Sequence, residues 1–376
     1  MKLNTIVISI VLFVSIFILS VSCEKQKTEW KGTIEEVDGV TVVKNPKEPI
    51  YEEDVFGLDE ELTIGEEDKD SEPLFIDVSS VRVDNEENIY VLDSKACQIK
   101  VFDKNGKYLR KIGRKGRGPG EMQFPTVLDI VYGKEIMICD LPNNRISFYS
   151  LQGELLKEVS KGKYFRLLAP LPDSNKNFVG SMRIQIEDKR IDELRKFDSN
   201  FKPIFTIEKI EYTDEPNVIY PYPPFIFYII LKDDKVLWGN WVHYRLQIAD
   251  DAGRTTRKII KDYDPVKITD EDKERDIKKR FGDRGIPPDI KLVFPDYYPA
   301  FWHLSHDDEG RIFVQTFRRT EEGSYYYDVF DSEGKYIAKV PLKVRPRDWK
   351  NNKLYTIEED EEGYQYVKRY KVNWKY

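Results

Sequence analysis

The run Ile89-Tyr90-Val91-Leu92-Asp93, followed by Ile99-Lys100-Val101-Phe102-Asp103 and Gly106, recurs as Ile136-Met137-Ile138-Cys139-Asp140, then Ile146-Ser147-Phe148-Tyr149-Ser150 and Gly153. Asp93 and Asp140, Ile99 and Ile146, and Gly106 and Gly153 are each 47 residues apart. A fixed period of this length, filled with short strands and turns, is the mark of a β-propeller. The apolar residues are consecutive rather than strictly alternating, as in strands buried on both faces. Blades stacked around an axis bury their inner strands in that way. Asp103-Lys104-Asn105-Gly106 reads as a hairpin turn in which glycine supplies a positive φ cheaply.

Outward from this pair, the first repeat spans about Phe75 to Ile112 and the second Phe124 to Val159. Later copies drift. Phe197-Asp198-Ser199-Asn200 and Phe201 echo a third, Val236 to Asn240 with Leu246 to Gly253 a fourth, and Asp307 to Val314 with Tyr327 to Gly334 a fifth. Leu354 to Ile357 and Tyr364 to Val372 supply strands for a sixth. Gly32 to Val43 is β-rich and left over before the first repeat, and its economical use is to complete the last blade and remove its free edge. Thr269 to Phe281 breaks the pattern: Thr269 and Asp272 form a capping box, with Ile277 and Phe281 on one narrow apolar edge. The expected fold is all-β, a six-bladed β-propeller closed by N-terminal strands, with one inserted surface helix at about 269–281. A lid over one propeller face is the functional alternative for that helix.

Lys2 and the apolar run Ile6 to Val21 make a short export signal rather than a membrane span. Leu19-Ser20-Val21-Ser22-Cys23 resembles the lipobox of bacterial lipoproteins, although Ser20 stands where that family usually has Leu. The resemblance implies cleavage before Cys23, lipidation of that cysteine, a tether over 23–29 and one propeller domain over 30–376. Removing residues 1–22 takes away one lysine and no acid, so a net charge of −7 becomes −8. Mild acidity favours solubility and excludes a nucleic-acid partner. Cys97 and Cys139 do not occupy equivalent repeat positions; two buried thiols are expected, although an exported protein permits a bridge.

Gly113 to Pro125, followed by Asp140-Leu141-Pro142-Asn143-Asn144-Arg145-Ile146, resembles the NHL repeat: a glycine-rich linker, Phe-Pro opening the next blade, then Asp and Asn-Arg-Ile. The chain as a whole is similar to the six-bladed, NHL-like propeller lipoproteins of Gram-negative bacteria. That resemblance implies a ligand or partner face and no particular activity.

Chemistry is sparse. The glycine-rich linker lacks the Gly-Lys-Ser/Thr ending of a phosphate loop. In it and just before it, Arg110, Lys111, Arg114, Lys115 and Arg117 make a local basic cluster that could take a carboxylate or phosphate. The histidines are His243, His303 and His306, and an i,i+3 pair on a strand points to opposite faces, which leaves no three-histidine metal site. Lactonase-like propellers hold calcium with carboxylates and amides; Asp77, Asp129 and Asn240 are the candidates that resemblance suggests here. Tyr220-Pro221-Tyr222 and Tyr297-Tyr298, with Trp302, fall in connections between blades, where aromatic rings could stack on a ligand or fill gaps.

These observations lead to a membrane-anchored, non-enzymatic binding lipoprotein of the bacterial cell envelope, periplasmic or outer-membrane-associated and monomeric. Lipidated Cys23 holds it to the membrane, and it needs no cofactor. One propeller face meets a protein, peptide or glycan through Arg114, Arg117, Tyr220, Tyr222, Tyr297, Tyr298, Trp302 and His303. The alternative is a calcium-dependent hydrolase or lyase at the channel mouth.

Overall fold

The computed structural model describes residues 29–51, 55–65, 74–160, 167–213 and 215–376. The segments expected as export signal and most of the tether, with Cys23, lie outside them. Among the described residues, no helix is long and apolar enough to cross a membrane.

Six antiparallel sheets follow one another around an axis. Blade one consists of Val78–Val83, Ile89–Asp93, Gln98–Phe102 and Tyr108–Ile112. In blade two the strands are Pro125–Val131, Glu135–Asp140, Arg145–Ser150 and Leu155–Ser160. Blade three has Leu167–Pro172, Phe178–Ile186, Lys189–Phe197 and Pro203–Thr213. Blades four and five start at the inner strands Ile226–Ile230 and His303–His306, and blade six at Pro346–Lys350. Strands alternate in direction, so every connection from one blade's outer strand to the next blade's inner strand leaves from the same face.

The repeated residues have identifiable work. Asp93 Oδ2 accepts from the Ile76 N–H at 2.8 Å and Oδ1 from Asp77 at 3.2 Å. Asp140 does the same for Gln123 at 2.7 Å and Phe124 at 3.2 Å. Each aspartate thus fixes the backbone just before its blade's inner strand, where ladder partners have not begun. The hairpin aspartates hold their turns: Asp103 Oδ1 accepts from Asn105 and Lys107, and Asp331 Oδ1 from Glu333 and Lys335, all within 2.8–2.9 Å. Gly106 and Gly334 occupy φ 82° and 88° there, and a Cβ on Gly334 would lie 2.6 Å from Ile259. In blade three the equivalent turn uses Phe201 at φ 60°, whose buried ring stacks 4.4 Å from Phe178. This glycine-to-phenylalanine exchange is why the third copy is faint in the sequence.

Apolar faces meet between blades: Leu92, Ile99 and Val101 of blade one pack on Leu128, Ile136 and Ile138 of blade two. Between blades four and five the interface is polar at its centre. Buried Asp328 accepts from Tyr244 and Tyr336, both at 2.7 Å, and Lys261 lies 3.4 Å away over both rings. A buried carboxylate so surrounded is satisfied, and removing it would strand Lys261.

Closure differs from the sequence expectation in detail. An N-terminal strand does complete blade six, but it is Phe56–Ile64, paired antiparallel with Gln365–Trp374. The strands at Thr33–Val37 and Val40–Asn45 instead extend blade four, the second of them parallel to Thr255–Lys261. Asn45 explains the placement: its buried side chain accepts from Tyr336 N at 2.7 Å and Trp30 Nε1 at 3.0 Å and donates to Gly334 O at 2.9 Å, joining the hairpin to blade five. Ile50 and Tyr51 then donate to Tyr336 and Ile337 carbonyls. The chain before blade one is therefore a belt across blades four, five and six.

The inserted helix, α1 (Asp270–Phe281), has the expected capping box, with Thr269 and Asp272 exchanging hydrogen bonds. None of its residues is buried. Cys97 and Cys139 are buried and are not bridged to each other; Cys97 Sγ lies 3.0 Å from the Gln123 carbonyl, and burial raises its pKa.

Candidate functional site: the central channel

All six inner strands border one channel, with a cavity of about 710 Å³. An innermost strand turns its free edge toward the axis, so the rule that alternate residues face opposite ways does not decide what lines it. His303 and His306 both border the channel despite their i,i+3 spacing.

One wall is basic. Arg82 comes from blade one, Arg347 from blade six, and Arg345 from the connection just before blade six. Two carboxylates oppose these three guanidiniums. Asp129 of blade two lies 3.6 Å from Arg82 Nε. Asp348 is occupied by backbone: Oδ2 accepts from Val83 N at 2.8 Å and Oδ1 from Trp349 N at 3.1 Å. Arg82 Nη1 also donates to the Arg347 carbonyl at 2.9 Å, tying blade one to blade six. Arg345 and Arg347 make no side-chain ion pair among the described residues. Arg345 is open to the channel, yet surrounding protein lowers its pKa. Burial, followed by the charges of Arg345 and Arg82, brings Arg347 down to about 10. His303 is pushed well below its usual range by burial, then by Arg345, Arg347 and Arg82, so its ring is neutral at neutral pH. Burial raises Asp348 to about 6 against the opposing pull of Arg82, with Asp129 adding to the rise. His303 Nδ1 and Arg347 Nε are buried without a hydrogen-bond partner.

The neighbouring wall is apolar. Phe225, Ile226 and Phe227 border the channel from blade four. Phe225 and Phe227 lie 4.8 Å apart, and Phe227 is 6.3 Å from Trp302, the residue before His303. The wall thus passes from aromatic to basic within a short arc.

The structure brings together some of the residues named from sequence. Tyr222, Tyr298 and Trp302 belong to one aromatic cluster with Trp241 and Phe317. Much of their ring surface is taken by one another: Tyr298 stacks on Phe317 at 4.4 Å and Trp302 on Trp241 at 5.5 Å, leaving Trp302 37% exposed. Tyr220 donates to Glu215 at 2.8 Å, and exposed Tyr297 bridges Lys267. Arg114 and Arg117 stay on the glycine-rich linker and do not border the channel; Arg114 is held by Glu121 at 2.9 Å and Arg117 is exposed. Arg145 donates to the Gly118 and Glu121 carbonyls and Asn143 to Gly116, so the Asn-Asn-Arg stretch clamps this linker.

The residues suggested for calcium do not converge. Asp129 faces Arg82, Asn240 accepts from Val242 N at 2.8 Å, and Asp77 lies 3.8 Å from Lys95. No group of three or more His, Cys, Asp or Glu among the described residues is arranged to hold a metal ion.

Sequence reading missed Arg82, Arg345, Arg347 and Asp348. A signal was present: Pro346 opens the inner strand of blade six as Pro125 opens that of blade two. Aligning the two prolines would have placed Arg345, Arg347 and Asp348 at the axis.

Six four-stranded blades around an open channel define a six-bladed β-propeller. Over residues 68–227 the chain matches a family model described as DUF5128, 6-bladed beta-propeller. Among solved structures it is similar to a Bacteroides fragilis protein provisionally described as exported, at 14% identity and TM-score 0.57, covering 89% of this chain and 100% of that one. It is also similar to a member of the DUF4221 family from Bacteroides vulgatus, at 13% identity and TM-score 0.50, covering 85% and 99%. A virginiamycin B lyase from Staphylococcus aureus aligns at 11% identity and TM-score 0.45 over 85% and 99%. At these identities the likeness is one of fold. No curated protein matches the chain.

Proposed function

We propose that this protein is a binding lipoprotein of the bacterial cell envelope, tethered through Cys23, whose propeller takes up its ligand at the central channel. The carrying observation is the channel: about 710 Å³, walled on one side by arginines, of which Arg345 and Arg347 have no ion-pair partner among the described residues, and on another by aromatic rings. Pockets of about 300–1,000 Å³ with an apolar wall and a few convergent polar groups are the usual places where proteins hold small ligands. The lipobox-like Ser22-Cys23 and the NHL-like linker support the anchored, partner-binding role. A peptide, a glycan or a protein loop reaching in from the face carrying the blade connections fits this reading. The aromatic cluster around Tyr222, Tyr298 and Trp302 then serves as the floor that positions the channel's apolar wall.

The test is a thermal-shift screen of the detergent-solubilised full chain against peptides, oligosaccharides and small organic molecules, since a ligand of the folded state raises its melting point by mass action. Thr126 borders the channel, and Thr126→Trp narrows it. Ligand-induced shifts are expected to shrink in that variant; shifts that persist at full size would move the site away from the axis. Incorporation of labelled fatty acid into the wild type, lost in Cys23→Ala, checks the anchor separately.

A further inference from the structure

The basic wall has a feature that a generic binding role does not require. A protein interior normally matches its buried charges, and leaving like charges together unmatched is costly. Here Arg345 and Arg347 face the same cavity as Arg82, while Asp129 is taken by Arg82 and Asp348 by two backbone N–H groups. His303, which borders the same cavity, adds no negative charge, and the pKa of the Tyr327 phenol beside the arginines is raised by burial. This wall therefore carries more positive charge and more donors than the fold consumes. Arginine is suited to carboxylate, sulfate and phosphate because its fork presents two parallel donors. The adjoining wall of Phe225 and Phe227 offers apolar surface without charge.

We propose that the channel binds an organic monoanion with an apolar body, its acid group seated on Arg345 and Arg347 and its body lying against Phe225 and Phe227. This rests on the channel-binding reading and deepens it by assigning the ligand's chemistry. The acid offsets one of the two unmatched charges and accepts from both guanidiniums, and the rings shield the contact from water, which strengthens it. A neutral ligand of equal shape would gain the second contact alone.

The experiment is calorimetric titration of the detergent-solubilised full chain with 4-phenylbutyrate and its uncharged amide, with phenyl sulfate and phenyl phosphate as the other head groups. The acid is expected to bind about tenfold or more tightly than the amide, as a charge-assisted bidentate contact should. Arg347→Gln should abolish that difference and leave the amide's affinity within about twofold, while Phe227→Ala should weaken both. Because Arg347→Gln relieves like-charge repulsion, its melting temperature is expected to rise, which separates lost binding from lost folding. Which of the three head groups binds best identifies the acid. Equal binding of acid and amide would overturn the anion assignment and leave the channel-binding reading standing. Tighter acid binding that survives Arg347→Gln would overturn the assigned seat. If none of these probes binds at millimolar concentration the anion proposal falls, and the Thr126→Trp screen still decides whether the channel binds anything.

Discussion

Asp93 and Asp140 illustrate what a repeat conserves within one chain: a backbone duty. Both are buried, and both accept from the two N–H groups that precede the inner strand of their own blade. Replacing either with Ala strands those donors where the ladder cannot take them. A loss of about 2 kcal/mol in urea unfolding is expected for Asp93→Ala or Asp140→Ala, with Asn at the same position costing less because one acceptor oxygen remains. A loss below a few tenths of a kcal/mol would mean that water satisfies these groups. At this scale the sequence was readable, since the aspartates and turn glycines recur at a fixed spacing. Arg345 and Arg347 were readable only by matching Pro346 to Pro125, because nothing in the pair itself separates charges at a channel from charges on a solvated edge.

The inner strands are the elements that carry the proposed chemistry, and their charges respond to pH in a defined direction. The Asp348 carboxyl is raised by burial to about 6, so it is neutral below that value and negative above it. It faces Arg82 of blade one and Asp129 of blade two, with Arg347 beside it on its own strand and His303, whose pKa burial and the nearby arginines lower, on blade five. Its folded pKa lies above its unfolded one. The associated stability is therefore fully present below the unfolded value and is lost as pH rises through about 6. Protonation also removes one negative charge from the basic wall. Phenyl sulfate, which stays ionised, is expected to bind several-fold more tightly at pH 5 than at pH 7, and Asp348→Asn should flatten that dependence. A profile unchanged by the substitution would show that another group titrates. Blade one, blade two and α1 were legible as elements because their patterns are local. The inner strand of blade six was not: Pro-Arg-Asp-Trp-Lys is too polar to resemble a buried strand, and only its place at the axis explains its composition. The pairing of Val218–Ile219 with Lys291–Leu292, which docks the two long connections on each other, joins segments with no periodic signal at all.

For the whole molecule, the ring depends on a strand from the other end of the chain. Phe56–Ile64 contributes the outer strand of blade six, with Phe56 packed 4.9 Å from Trp374. A chain beginning at residue 66 is expected to lose the single cooperative transition of a closed ring. Amide exchange should accelerate first in Gln365–Trp374, where the pairing partner is gone. Protection equal to that of the intact protein would mean that the ring closes on side-chain packing alone. The general device, closure by an N-terminal strand, was inferable from leftover β-rich sequence. Which strand performs it was not, because Thr33–Asn45 and Phe56–Ile64 are both plausible edges, and the choice is made by Asn45 contacts nearly three hundred residues away. The belt also has a mechanical meaning. Tension applied to the chain ahead of Glu29 first loads the hairpin on blade four, then the Asn45 contacts, and only afterwards the strand that locks blade six. The hairpin can peel away and lengthen the leading segment while the ring stays shut, so a pull on that end of the chain is spent before it reaches the channel.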